Sequence, residues 1–264
     1  MQSLVNRVAH SRRFWNIACR FWPARPFNVP GGQGFFSFTF DDFPASALEQ
    51  GGAILERYDA RGTYYWSGRF TLMTDPNVGP LAASHLRAVA DRGHEVACHS
   101  YGHLDCATVL AHELEDDIAR NATAAAHALS CNSATFEHFA YPYGQVSLAG
   151  RRVVAGRFST GRGIFPGVNR GWSDAALLRA NALYGGNDVY IKAISLIREV
   201  ASHGGWLIFF THDVSDTPSA YGTRTDAFEE VVHAARESGC SVLPLGRVAA
   251  QFLPPRRARP ILQE

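Results

Sequence analysis

Short, strongly apolar runs, each ending on a chemically active group, constrain this chain most. Phe35 to Phe40 carries four phenylalanines with Ser37 and Thr39 between them and stops at Asp41-Asp42, and Trp206 to Phe210 is followed by Thr211-His212. Short runs of this kind read as β-strands, and the unbroken run Trp206 to Phe210 as a buried one. Between them lie helical periodicities. Leu110, Leu114, Ile118 and Ala122 recur every four residues, with Glu113, Glu115 and Asp116 between them, over a helix read as 108–129.

Further helices are expected at 45–58, 81–90, 148–155, 174–183, 188–202 and 226–237, and further strands at 63–66, 95–98, 135–140, 158–160 and 240–243. The alternation has no long linker and no internal repeat, so it predicts one α/β domain with a largely parallel sheet. The helices can cover both faces of the sheet, which is read as suiting a barrel better than an open sandwich. Pro23, Pro26, Pro30, Gly31 and Gly32 break any helix before the first strand. The expected boundaries are an N-terminal extension at 1–32, the domain at 33–245 and a tail at 246–264.

The chain has 264 residues, 46% of them hydrophobic, which supplies a sizeable core. Twenty-five basic and 24 acidic residues leave a net charge of +1, so nothing favours a nucleic-acid partner. Gly-Gly-Gln-Gly at 31–34 precedes its strand rather than following it, the wrong context for a dinucleotide site. The five cysteines are odd in number and form no CxxC, which reads as reduced thiols in a cytoplasmic protein. Cys98 precedes His99 in a strand, so alternation points it away from the site and into the core. No run of 18 apolar residues and no signal-peptide segment is seen. Phe14, Trp15, Ile17, Phe21 and Trp22 lie among Arg12, Arg13 and Arg20. Residues 12–25 therefore read either as an arm packed on protein or as a weakly amphipathic contact with the inner face of a membrane. Arg256, Arg257 and Arg259 read as part of a solvated tail. Oligomeric state is not legible.

Three groups carry the chemistry: Asp41-Asp42, His99-Ser100-Tyr101-Gly102-His103, and Thr211-His212-Asp213. Two histidines four apart can face one metal ion, and one nearby carboxylate can complete the set. A second carboxylate is then placed to act as a base and a distant histidine as an acid. Taken singly, each group has a plainer explanation: an Asp-Asp helix cap, a chance HxxxH, a polar residue at a strand end. Their agreement at the same end of successive strands is what points to a site.

With Tyr141-Pro142-Tyr143-Gly144, these motifs resemble the polysaccharide deacetylase family, the NodB-homology or carbohydrate esterase family 4 domain, over about residues 33–245. The resemblance implies a deformed (β/α)7 barrel. It also implies metal-dependent removal of an acyl group, usually acetyl, from an amino sugar or sugar ester. By motif position, Asp42, His99 and His103 are the expected ligands of one divalent ion. Zinc suits two imidazoles and a carboxylate, with cobalt or another divalent ion as alternatives. Asp41 is the expected base, His212 the acid, and the Tyr143 N–H a donor to the oxyanion. Phe43, Trp66, Tyr143 and Trp172 are the expected substrate contacts.

This chain departs from the family pattern in three places. Ala140 stands where the third motif carries an arginine that pairs with the catalytic Asp, and Arg157, Arg162 and Arg170 are the candidates to replace it. Phe43 replaces a glycine and Phe210 a leucine. The expected partner is an acetylated amino-sugar glycan or glycolipid precursor. The competing readings are a metal-independent amide or ureide hydrolase of the same fold and a catalytically impaired carbohydrate-binding protein.

Overall fold

The computed structural model describes residues 19, 22–71, 74–75, 79–80, 83–132 and 134–254. Apart from residues 19 and 22–25, the arginine- and aromatic-rich segment expected at a membrane surface lies outside them, as do Arg256, Arg257 and Arg259. Among the described residues no helix is long and apolar enough to cross a membrane.

The strands in chain order are β1 (Pro26–Val29), β2 (Gly34–Asp41), β3 (Thr63–Trp66), β4 (Thr74–Asp75), β5 (Gly79–Pro80), β6 (Glu95–Cys98) and β7 (His138–Ala140). There follow β8 (Thr160–Arg162), β9 (Gly171–Asp174), β10 (Asn181–Ala182), β11 (Gly205–Thr211), β12 (Val214–Ser215), β13 (Thr223–Arg224) and β14 (Ser241–Val242). One parallel sheet runs in the order β10-β11-β2-β3-β6-β7-β8, with β14 also pairing β2. Its curl brings the two edges together, because Leu178 bridges Arg162 in parallel and Asn181 pairs with Phe209. The single extended stretch 178–182 thus touches both edges. The fold is α/β, a curled half-barrel of seven strands surrounded by helices.

Strand parity sorts the core. Phe36, Phe38 and Phe40 of β2 join Leu207 and Phe209 of β11 beneath helices Asn187–His203 and Thr225–Glu237. Phe35 joins Trp206, Ile208, Phe210, Tyr65, Ala97, Ala140 and Leu178 inside the barrel. Every residue of β2 and of β11 is buried, the latter as its unbroken apolar run predicts. Each buried Phe contributes about 1.5–3 kcal/mol as an upper estimate. Asp41 shares parity with Phe35, so it ends β2 facing the barrel interior at the mouth formed by the strand carboxyl ends.

Two expectations in the second half are corrected. Residues 174–183 are not a helix. Ala175, Ala176, Leu177, Leu178, Ala180 and Leu183 are all buried, with no exposed helical face. Their backbone serves the sheet instead: the Gly161 N–H donates to Ala175 O and the Leu178 N–H to Gly161 O, at 2.8 and 2.7 Å. The strand expected at 158–160 runs two residues later, over Thr160–Arg162, which carries Arg162 into the sheet opposite Ala140. Outside the span 33–245, β1 pairs antiparallel with β9, and helix Leu245–Phe252 packs Leu245, Val248, Ala249 and Phe252 on the inner cluster.

Candidate active site

Two strand ends, those of β2 and β6, bring the predicted ligand atoms together. Asp42, His99 and His103 each offer one atom within 4.8 Å of the others. Asp42 Oδ2 lies 3.3 Å from His103 Nε2, and Asp42 Oδ1 lies 3.9 Å from His99 Nε2. His99 Nδ1 lies 2.8 Å from the Ala140 carbonyl, so the ring donates there and turns Nε2 toward the cluster. Burial pulls the His99 pKa down to about 4 and that of His103 to about 2, so both imidazoles are neutral at ordinary pH, the form that ligates a cation. The donor set therefore fits a divalent ion of zinc type.

The backbone around these groups is unusual. Among the described residues six non-glycine residues have left-handed φ, and four of them are Asp42 (51°), Ser100 (58°), His103 (51°) and Tyr143 (56°). Such conformations cost of order 1–3 kcal/mol each and persist where the surroundings over-determine them. At the turn from Ser100 to His103 a helix does so. Asp117, on helix Ala111–Leu129, accepts from the N–H groups of Tyr101 (2.6 Å) and Gly102 (3.0 Å). Asn121, one turn on, accepts from the Gly68 N–H and donates to Trp66 O, both at 2.9 Å. The Asn121 signal was visible in the sequence, since a polar residue sits on the stripe of Leu114, Ile118 and Ala122.

Arg162 answers the missing arginine. Its guanidinium is fully buried, ion-paired to Asp41, and lies over the rings of Tyr65 and Phe210 at 4.9 and 5.0 Å. Residue 162 pairs in register with Ala140 on the neighbouring strand. The cation thus reaches Asp41 from the position opposite the vacant one. Of the other candidates, Arg157 pairs with Glu115 and Arg170 with Glu199. Burial pushes the Asp41 pKa up, but Arg162, with His99 and His212, outweighs it and holds the carboxyl below its ordinary value. Asp41 is therefore an anion.

His212, at the end of β11, faces the same cavity. Burial lowers its pKa most, against a raising influence from Asp41, and its Nδ1 is buried without a hydrogen-bond partner. The cavity, about 410 Å³, is lined by Asp41, Asp42, His99, His103, Tyr143 and His212, together with Arg69, Phe70, Ile164, Tyr184, Phe210 and Tyr221.

Three expected substrate contacts are elsewhere. Phe43 is buried edge-on against Tyr64, and Trp66 is buried beside Phe136. Trp66 ends β3 with its ring on the helix-covered side, because parity puts its neighbour Tyr65 inside. Trp172 is 80% exposed and lines a separate cavity with Pro23, Arg170 and Arg179. The aromatic walls are instead Tyr143, whose ring meets His103 at 4.4 Å, and Tyr184 and Tyr221 near His212. No motif in the sequence marked the last two.

Comparison with known proteins agrees with this geometry. The sequence profile of the family described as polysaccharide deacetylase matches residues 28–155. A bifunctional xylanase/deacetylase of Pseudobutyrivibrio xylanivorans is 33% identical over 92 residues, 35% of this chain; the match spans 14% of that longer protein. Among solved structures, a family 4 acetyl xylan esterase from Clostridium thermocellum in complex with a cobalt ion superposes with a TM-score of 0.58, at 19% identity, covering 82% of this chain and 91% of that one. A family 4 pseudoenzyme from Bacillus anthracis superposes at 0.55, with 17% identity over 83% of this chain and 66% of that one. At such identities the superpositions establish the fold, while the ordered motifs and the profile carry the kinship. The chain is thus similar to the polysaccharide deacetylase family, the NodB-homology or carbohydrate esterase family 4 group, through residues 28–155 in sequence and through its overall fold.

Proposed function

We propose that this protein is a divalent-metal-dependent deacetylase that removes the acetyl group from an N-acetylated amino sugar of a glycan or glycolipid precursor. The observation that carries this reading is the placement of Asp42, His99 and His103 beside an Arg162-held Asp41, with His212 lining the same cavity. Asp42 and the Nε2 atoms of His99 and His103 would hold the ion, zinc being the best match to the donor set and cobalt an alternative. When bound, the ion polarises the acyl carbonyl and makes a bound water acidic near neutral pH.

The chain's own residues supply the rest. Asp41, kept anionic by Arg162, takes the proton from the attacking water. The Tyr143 N–H, on its left-handed turn, donates to the developing oxyanion. His212, once charged as the imidazolium, gives a proton to the departing nitrogen and returns to neutral imidazole, so the sugar leaves as a neutral amine. A buried Arg–Asp pair at this point argues against the impaired-enzyme reading. Breaking such a pair leaves a costly uncompensated charge, and here the arginine is supplied from a neighbouring strand instead of being lost.

A sugar ester is the second substrate reading, favoured by the likeness to an acetyl xylan esterase fold. The deciding experiment is acetate release by zinc- or cobalt-loaded protein from N-acetylglucosamine oligomers, with acetylated xylo-oligosaccharides in parallel. Release from the amino-sugar series supports the proposal. Release from the esters alone redirects it, and release from neither, with tight glycan binding, favours the binding-protein reading.

A further inference from the structure

Tyr221 is 53% exposed, yet both its backbone carbonyl and its N–H are hydrogen-bonded. Its carbonyl accepts from the His212 N–H at 3.1 Å and from the Thr211 hydroxyl at 3.2 Å, and its own N–H donates to Ser219 Oγ at 3.2 Å. The hub of this loop is Asp213, directly after His212 and itself buried. Its carboxylate accepts from the Ser219 N–H at 2.9 Å and from the Ser219 hydroxyl. Gly222 completes the latch, because any side chain there would meet the Asp213 carboxylate at 2.3 Å. Beyond the latch the loop is clasped again where β12 and β13 pair, Val214 with Thr223 and Ser215 with Arg224.

A solvent-exposed ring on so fixed a backbone is pre-organised for contact. The ring of Tyr221 sits 5.4 Å from that of His212, and Tyr184 backs it edge-on at 5.7 Å and 84°. In the deacetylase reading, on which this inference rests, His212 delivers its proton to the leaving atom. The group bonded to that atom is the sugar, and the acyl carbon lies on the side of the metal cluster. The aromatic surface adjoining His212 therefore meets the leaving group.

We propose that Tyr221 is a specificity-determining platform that receives the apolar face of the sugar ring carrying the acyl nitrogen, with Asp213 as the positioning residue that fixes it. Large rigid aromatic side chains with a polar tip suit this use because little conformational entropy is lost on contact. The platform acts on binding of sugar in substrate and product alike, so its removal weakens binding rather than the chemical step.

The test measures two quantities on metal-loaded protein. One is the dissociation constant of a glucosamine oligomer, the deacetylated product, by calorimetry, which needs no turnover. The other is the KM and kcat for the matching N-acetylated oligomer. Tyr221→Ala is expected to raise both the dissociation constant and KM about tenfold, with kcat within about threefold of the parent. Tyr221→Phe is expected to stay near the parent, and Asp213→Asn to reproduce part of the Tyr221→Ala effect. Unchanged product binding and KM in Tyr221→Ala overturn the platform while leaving the deacetylase reading in place, as does a loss confined to kcat. If the parent neither releases acetate from nor binds any amino-sugar oligomer, both fall.

Discussion

The two mouths of this barrel are built from similar residue types and do opposite things. At the amino ends of the strands, Glu95 accepts from Thr63 Oγ1 at 2.7 Å and from the Gly246 N–H at 3.0 Å, with His138 Nε2 3.6 Å away. His138 Nδ1 engages Thr160 Oγ1 at 2.9 Å, and the Leu245 N–H donates to Thr63 Oγ1 at 2.8 Å. Acid, imidazole and hydroxyls satisfy one another there and fasten the start of helix Leu245–Phe252 over the opening. Gly246 is needed for this, since a Cβ would lie 2.1 Å from Glu95 Oε1. At the carboxyl ends, acids and imidazoles converge on a cavity, His212 Nδ1 has no partner, and four left-handed residues hold the arrangement. The difference teaches that ionisable residues in the same sheet close one end and equip the other. What separates the roles is whether their hydrogen bonds are spent on each other.

Substitutions at each mouth break the comparison in different ways. The largest effect is expected from Asp41→Asn, which removes the base. Acetate release should fall about 10²–10⁴-fold, and an unchanged rate would show that another group takes the proton. Next is Arg162→Met, which leaves Asp41 buried without its cation. Chemical denaturation should show a loss of about 3–5 kcal/mol, with activity reduced as well. Because Ala140 lies opposite in register, adding Ala140→Arg to Arg162→Ala should restore part of both losses. No recovery would mean that the strand of origin matters more than the pair.

At the sealed mouth, Glu95→Ala should cost about 1–3 kcal/mol in the same denaturation experiment. Its kcat should remain within about twofold of the parent. A large loss of activity in a folded Glu95→Ala protein would erase the distinction between the two ends. Trp172→Ala, on neither mouth, should change stability by no more than about 0.5 kcal/mol and leave acetate release alone. A raised KM would return Trp172 to the substrate path.

The first half of the chain was legible because its strands end on the candidate site residues. Asp41-Asp42 and His99 close their strands, His103 follows four residues after His99, and the family profile covers the same stretch. The second half was not. Arg162, between Gly161 and Gly163, ends a strand of three residues, too short for a period-2 signal, so its place opposite Ala140 emerges only from the register. Residues 174–183 carry enough alanine and leucine to read as a helix, but close packing between two sheet edges overrides that propensity. Tyr184 and Tyr221 come from turns, where side-chain direction is set by tertiary contacts such as the Asp213 latch. Phe43, Trp66 and Trp172 misled for the converse reason: an aromatic near a motif says nothing about which side of the strand or loop it takes.

The most direct test is acetate release by chelator-stripped protein as a divalent ion is added back. The account predicts negligible release without metal, a rise that saturates at about one ion per chain, and no recovery in His99→Ala, whose ligand set is broken. Full activity in the stripped protein, or equal recovery in His99→Ala, would contradict it.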